Sequence, residues 1–166
     1  MHHDNGNVWK GLVAGLAGGL VASWTMNRFQ DLWFQASASE AKQSENDESD
    51  DTTVRTASAI SEGIFRHKLT RQEKKIAGPA VHYSLGAGVG GLYGAIADVR
   101  PEITMGAGLP FGAAFWLVVD EGAVPILGLA KGPSEYPVST HAYALASHFV
   151  YGFTTELVRR YVRKAL

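Results

Sequence analysis

The chain contains no cysteine. Disulfides, thiolate catalysis and cysteine-ligated zinc are therefore excluded. Net charge is also scarce: 15 Lys and Arg against 16 Asp and Glu leave −1 at pH 7. A nucleic-acid partner then has no electrostatic basis, and none is expected. Charge is absent over long stretches as well. About half of the acids and nearly half of the bases fall within residues 36 to 76. What remains is apolar and rich in Gly and Ala. The length suits one domain, residues 1–166.

Four apolar runs stand out. The first, "WKGLVAGLAGGLVASWTMN", has no charge from Gly11 to Met26, and Trp9, Trp24 and Trp33 stand near its ends. The second is Ala77 to Ala97, the third begins at Ile103, and the fourth runs from Tyr136 to Val158. Crossing a bilayer core takes roughly 20 mostly apolar residues, and aromatic residues favour its interfaces. None of the runs has the wide polar face of a surface helix in a soluble bundle. The alternative is a soluble protein in which all four are buried core. The fold expected is all-α: an integral membrane bundle of about four helices, over 8–34, 77–97, 103–130 with a Pro/Gly break, and 138–164. "ASA" at 36–38 has the look of a signal-peptide cleavage site. Arg28 and Asp31 interrupt the stretch before it, so the first run is expected to stay as a membrane helix.

Glycine supplies the packing signal. Gly11, Gly15 and Gly19 are spaced by four, as are Gly86, Gly90 and Gly94, and Gly108 and Gly112. In water each helix glycine costs about 1 kcal/mol against alanine. In lipid, small residues at this spacing let two backbones approach closely. These Gly-xxx-Gly ribbons are expected to be helix contact faces, with a glycine-lined pore as the rival. The same glycines produce a G-x-G-x-x-G match through Gly86, Gly88 and Gly91. A dinucleotide turn needs a strand before it and an acid at the end of a second strand. Pro79 and Pro101 flank the match instead, so no nucleotide is expected.

Residues 36–76 read as a polar loop. Its acidic first part lacks aromatics. Its second part, 54–76, has helical spacing through Val54, Ala57, Ile60, Ile64 and Phe65. That spacing fits an amphipathic helix at the headgroup level or an ordinary helix on the loop. Arg159, Arg160, Arg163 and Lys164 place the C-terminus in the cytoplasm, against anionic headgroups. Arg66, Lys68, Arg71, Lys74 and Lys75 then fall outside, against the same rule.

Ionisable groups inside the apolar runs are the candidate functional residues. His141 and His148 are seven apart and share a helix face, which Gly152 and Glu156 continue. His82 lies in the second run, and Asp120 and Glu121 end the third. Such groups are costly in lipid and face the bundle interior in pairs. Three roles remain open: structural hydrogen bonding, proton or ion handling, and metal or haem ligation through imidazole.

From His82 onward the chain resembles the YagU-like bacterial inner-membrane proteins, a family of largely uncharacterised function. The matching pieces are "HYSLGAGVGGLYG", Pro101, a Gly-rich span ending in "VPILGL", and "SHFVYGFTTELVRR". His82, His148, Glu156, Arg159 and Arg160 fall at the family's positions. Asp120 stands where a relative can carry histidine late in the third span. The resemblance implies a multi-pass inner-membrane protein and supplies no reaction. The expected function is accordingly an integral inner-membrane protein, not an enzyme, with a His82–His148–Glu156 cluster that is structural or responsive to pH or ions. Lipid is its expected partner, alone or as a homo-oligomer, and no cofactor is expected. One alternative is an accessory subunit of a membrane complex. Another is a metal- or pigment-binding protein using His141 and His148.

Overall fold

The computed structural model describes residues 7–36 and 52–166, and it is all-helical over them. The acidic loop expected at 36–53 lies almost wholly outside the described residues. The elements are α1 (Val8–Ala36), α2 (Thr52–Ile60), α3 (Arg71–Val99), α4 (Leu109–Val118), α5 (Val124–Ile126) and α6 (Val138–Ala165). A π-helical turn, Ser61–Phe65, follows α2, and another, Val119–Ala123, joins α4 to α5.

Local chemistry sets the helix ends. The Asn7 side chain accepts from the Lys10 amide and opens α1. Thr70 and Glu73 form a capping box at the start of α3. That helix therefore begins six residues before the apolar run, at Arg71. It ends where Pro101 bars its preceding residue from helical geometry. Residues 54–76 do not form the single helix their spacing allowed. Arg66, at φ 52°, turns the chain after Phe65.

The third run is also broken, and earlier than expected. Met105 is extended, and Gly106, Ala107 and Gly108 all have positive φ. Continuous helix resumes at Leu109. Pro125 then lies just beyond the second π turn. It has no amide hydrogen, so the helical ladder must rearrange near it. The rearrangement falls on the turn that carries Asp120 and Glu121.

The long helices alternate in direction, and α1 occupies the middle, with extensive contacts to α3 and α6. Gly11, Gly15 and Gly19 lie against Gly94, Gly90 and Gly86, antiparallel. A Cβ built on any of these six would come within 3.0 Å of the opposite helix. Gly88, by contrast, faces open space. The spacing of four organises this face, and the G-x-G-x-x-G match lies inside continuous helix. On the other flank of α1, Gly18 abuts the backbone of Thr155. A second glycine contact joins Gly108 and Gly112 to the α6 backbone at His148 and Gly152.

The interior has few large aliphatic side chains. Ala22, Met26 and Tyr151 form the centre, with Phe111 and Phe115 packed against it. Buried beside them are Ser23, Ser147, His148, Thr155, Glu156 and Arg159. The large apolar side chains lie outside, among them Trp9, Leu20, Trp24, Leu92, Leu117 and Phe153. Among the described residues one stretch, Pro101–Ile126, is long and apolar enough to cross a membrane, and little of its most apolar part is buried. Gly, Ala and hydroxyl residues dilute the hydropathy of the other long helices.

Candidate functional site

The six ionisable residues singled out in the sequence do not gather at one place. They divide into three nodes along α6. Eight residues separate His148 from Glu156, about 12 Å along a helix, and each has its own partners.

The first node surrounds Glu156, which is 1% exposed. Arg159 donates from Nε and Nη2 to its two oxygens, at 2.7 and 2.9 Å. Arg160 donates to Oε1, and the Tyr93 hydroxyl donates to Oε2 at 2.9 Å. One carboxylate thus accepts four charge-assisted or hydroxyl hydrogen bonds. The positions three and four residues after Glu156 put both arginines on its side of the helix. Tyr93 arrives from α3, with Phe111 stacked on its ring at 4.1 Å between centroids. Nearby, Arg163 grips Asp98 through three contacts of 2.9 to 3.1 Å. Asp98 also accepts the Asn7 amide at 2.8 Å. The same carboxylate therefore joins α6, α3 and the start of α1.

The second node contains His148, Asp120 and His82. His148 is 4% exposed. Its Nδ1 donates to the Ala144 carbonyl at 2.9 Å, which leaves Asp120 at 3.7 Å, beyond hydrogen-bond range. Phe115 meets the imidazole edge to face. Asp120 is also within electrostatic reach of His82 and Glu121. His82 Nε2 is buried and has no hydrogen-bond partner.

The third node is His141 and Glu121, 2.6 Å apart. The other imidazole nitrogen faces the Pro133 carbonyl at 3.0 Å. Both ring nitrogens thus face acceptors, and an imidazolium, with two N–H donors, satisfies both. Together the two contacts tie the π turn before α5, through Glu121, and the segment after α5, through Pro133, to the first turn of α6. The His141 and His148 pair proposed for a metal or pigment is divided between the second and third nodes. Among the described residues no group of three or more His, Asp or Glu side chains is arranged to hold a metal ion.

The sequence pattern does not mark Tyr93 or Asp98 as site residues, and it gives Arg163 only a place in the basic tail. Asp98 sits one residue past the second run and Arg163 in the basic tail, so nothing local links them. Outside the long apolar segments, Glu73 accepts from the Thr70 amide and hydroxyl, and from His67. These donors hold its carboxyl down to about 2, the Thr70 amide first among them.

A family model described as a protein of unknown function (DUF1440) matches residues 56–157. The match runs from α2 into α6 and leaves out α1. No curated protein and no solved structure matches the chain.

Proposed function

The chain belongs to the DUF1440 family, and from that premise we propose that it is an integral membrane helical bundle with a proton-responsive interior node. The observation that carries this reading is the inverted distribution of side chains. Trp9, Trp24, Leu92, Leu117 and Phe153 point outward, while Glu156, Arg159, His148, Ser23, Ser147 and Thr155 are enclosed. Water would drive the reverse arrangement. Lipid tolerates it, because the outer surface loses nothing and the polar groups pair inside. Close glycine contacts between α1 and α3 then provide dispersion contacts in place of hydrophobic burial.

In this reading α1, α3 from Ala77 onward, the α4–α5 segment and α6 are the four spans, in the bacterial inner membrane. Lys10, Arg100, Arg159, Arg160 and Arg163 belong to the cytoplasmic end. No chemical reaction is assigned. The working groups are His82, Asp120 and His148, because their pairing is incomplete. Protonation of an imidazole there would draw Asp120 closer and shift α4 and its π turn against α6. The Glu156 node, fully paired, holds the helices while that occurs.

Two measurements test the proposal. Alkaline carbonate washing should leave the protein in the membrane pellet, and detergent should be needed to extract it. A detergent-free soluble protein ends the membrane reading. The pH dependence of thermal unfolding of the extracted protein should be altered by Asp120→Asn. An unchanged pH dependence ends the proposed role of the node.

A further inference from the structure

A cavity of about 320 Å³ lies between α3, the segment Pro101–Gly108 and the first turn of α4. Tyr93, Ile103, Met105, Pro110 and Phe111 line it, together with one charged residue, Glu102. Tyr93 is buried at its base, with Phe111 stacked on the ring. Glu102, Met105 and Pro110 are exposed, so the space opens on the outer surface of the bundle. Its volume reaches the range of small-molecule sites.

The backbone of one wall is strained. Gly106, Ala107 and Gly108 hold φ of 72°, 54° and 82° in succession. The Cβ of Ala107 disfavours that conformation, and strain of this kind gathers at ligand clamps. A Cβ on Gly106 would stand 3.0 Å from the Pro110 ring, so the glycine lets this wall lie close on α4.

Glu102 differs from the other acids described at this end of the bundle. Asp98 is held by Arg163 and the Asn7 amide, and Glu156 by Arg159, Arg160 and Tyr93. Among the described residues the Glu102 carboxylate has neither an ion pair nor a hydrogen bond, and Arg100, two residues earlier, does not pair with it. What matters is the position of this carboxylate on the cavity wall, not the sum of charge around it. The acids of residues 37–51 join α1 to α2 at the opposite end. Residues 1–6, which precede α1 at this end, hold His2, His3 and Asp4.

We propose that the cavity takes part of an acyl chain of a phospholipid whose headgroup carries a primary ammonium. This rests on the membrane reading above. In that reading the cavity lies at the cytoplasmic end of a span and opens sideways toward lipid chains, with Glu102 on its rim. A lone carboxylate there selects a cation, and a primary ammonium meets it with a charge-assisted N–H hydrogen bond. A quaternary ammonium has no N–H to donate. An anionic headgroup is repelled.

The test uses the purified full chain in non-ionic detergent micelles mixed with phosphatidylethanolamine, phosphatidylcholine or phosphatidylglycerol of the same acyl chains. Native mass spectrometry should show phosphatidylethanolamine retained at least fivefold over each of the others. E102Q, at an exposed position, should remove that preference. M105W, which fills the cavity from another exposed position, should lower retention of all three lipids. E62Q, at the other end, and H2A/H3A should change nothing. Equal retention of the three lipids overturns the proposal, as does a preference that E102Q or M105W leaves intact or that H2A/H3A abolishes. Dimers that M105W disrupts, without selective lipid, would assign the cavity to a second copy and also overturn it. A chain that needs detergent yet shows no lipid preference ends this inference alone, whereas a chain soluble without detergent ends the membrane reading as well.

Discussion

The two halves of the bundle use the same helices and treat their charges differently. Around Glu156 and Asp98, carboxylates and arginines are within 2.5 to 3.1 Å and hydroxyl or amide donors fill the remaining positions. Around His148, Asp120 stops at 3.7 Å and His82 Nε2 has no partner. The helices differ in the same sense. In the first half α3 and α6 are regular, whereas in the second the α4 helix passes into a π turn. Such turns often mark functional positions. A fully paired buried charge network fixes geometry, and an incompletely paired one leaves room for a change of state.

The strongest way to break this comparison is Glu156→Ala. It leaves Arg159 buried without its carboxylate, and loss of one partner of a buried pair costs about 3–5 kcal/mol. Thermal unfolding in detergent should show the largest drop of any single substitution named here. A drop under about 1 kcal/mol would mean the network is dispensable. Asp98→Asn should cost less, about 1–3 kcal/mol, because the amide retains an acceptor for Asn7 while losing the ion pair. His148→Ala should cost about 1–2 kcal/mol, mostly for its packing on Phe115 and its single hydrogen bond. If it matches Glu156→Ala, the two halves are equally structural and the distinction fails.

The smallest effect is at the start of α3. The Glu73 carboxyl is lowered from 4.5 to about 2 in the fold. A depressed folded value means stabilisation that is complete above the unfolded value and is lost as pH falls from 4.5 toward 2. Amide exchange at residues 71–74 should accelerate across that window. Glu73→Gln should flatten the response without moving the global unfolding temperature.

The long helices α1, α3 and α6 are legible in the sequence because Gly, Ala and apolar residues run there without charge. The early start of α3 is also encoded, in the Thr70–Glu73 spacing, six residues before the apolar run begins. The break at Met105 to Gly108 was hidden by chemistry shared between two uses of glycine. Gly108 and Gly112 do face α6, yet Gly108 also supplies a positive φ, and Ala107 at φ 54° carries no sequence signal at all. In the site, the Glu156–Arg159–Arg160 set follows from helical spacing. Pairings such as Tyr93 with Glu156 and Asp98 with Arg163 depend on how α3 lies beside α6, which spacing within one helix cannot give. His148 and Glu156 share a face of α6 but stand eight residues apart on it, so a common stripe does not place them at a common site.

The glycine contact between α1 and α3 behaves as a ladder with equal rungs. Slide α1 by four residues, about 6 Å, and Gly15 meets Gly94 while Gly19 meets Gly90. Two of three rungs still match, so the ladder alone does not choose its own alignment. The locks are elsewhere: the Asn7 amide on Asp98 at one end and the Asn27 side chain on the Tyr83 hydroxyl further along. With both loosened, the register of α1 against α3 would be held only through α6, where Gly18 meets Thr155 and the Thr25 hydroxyl meets Thr154.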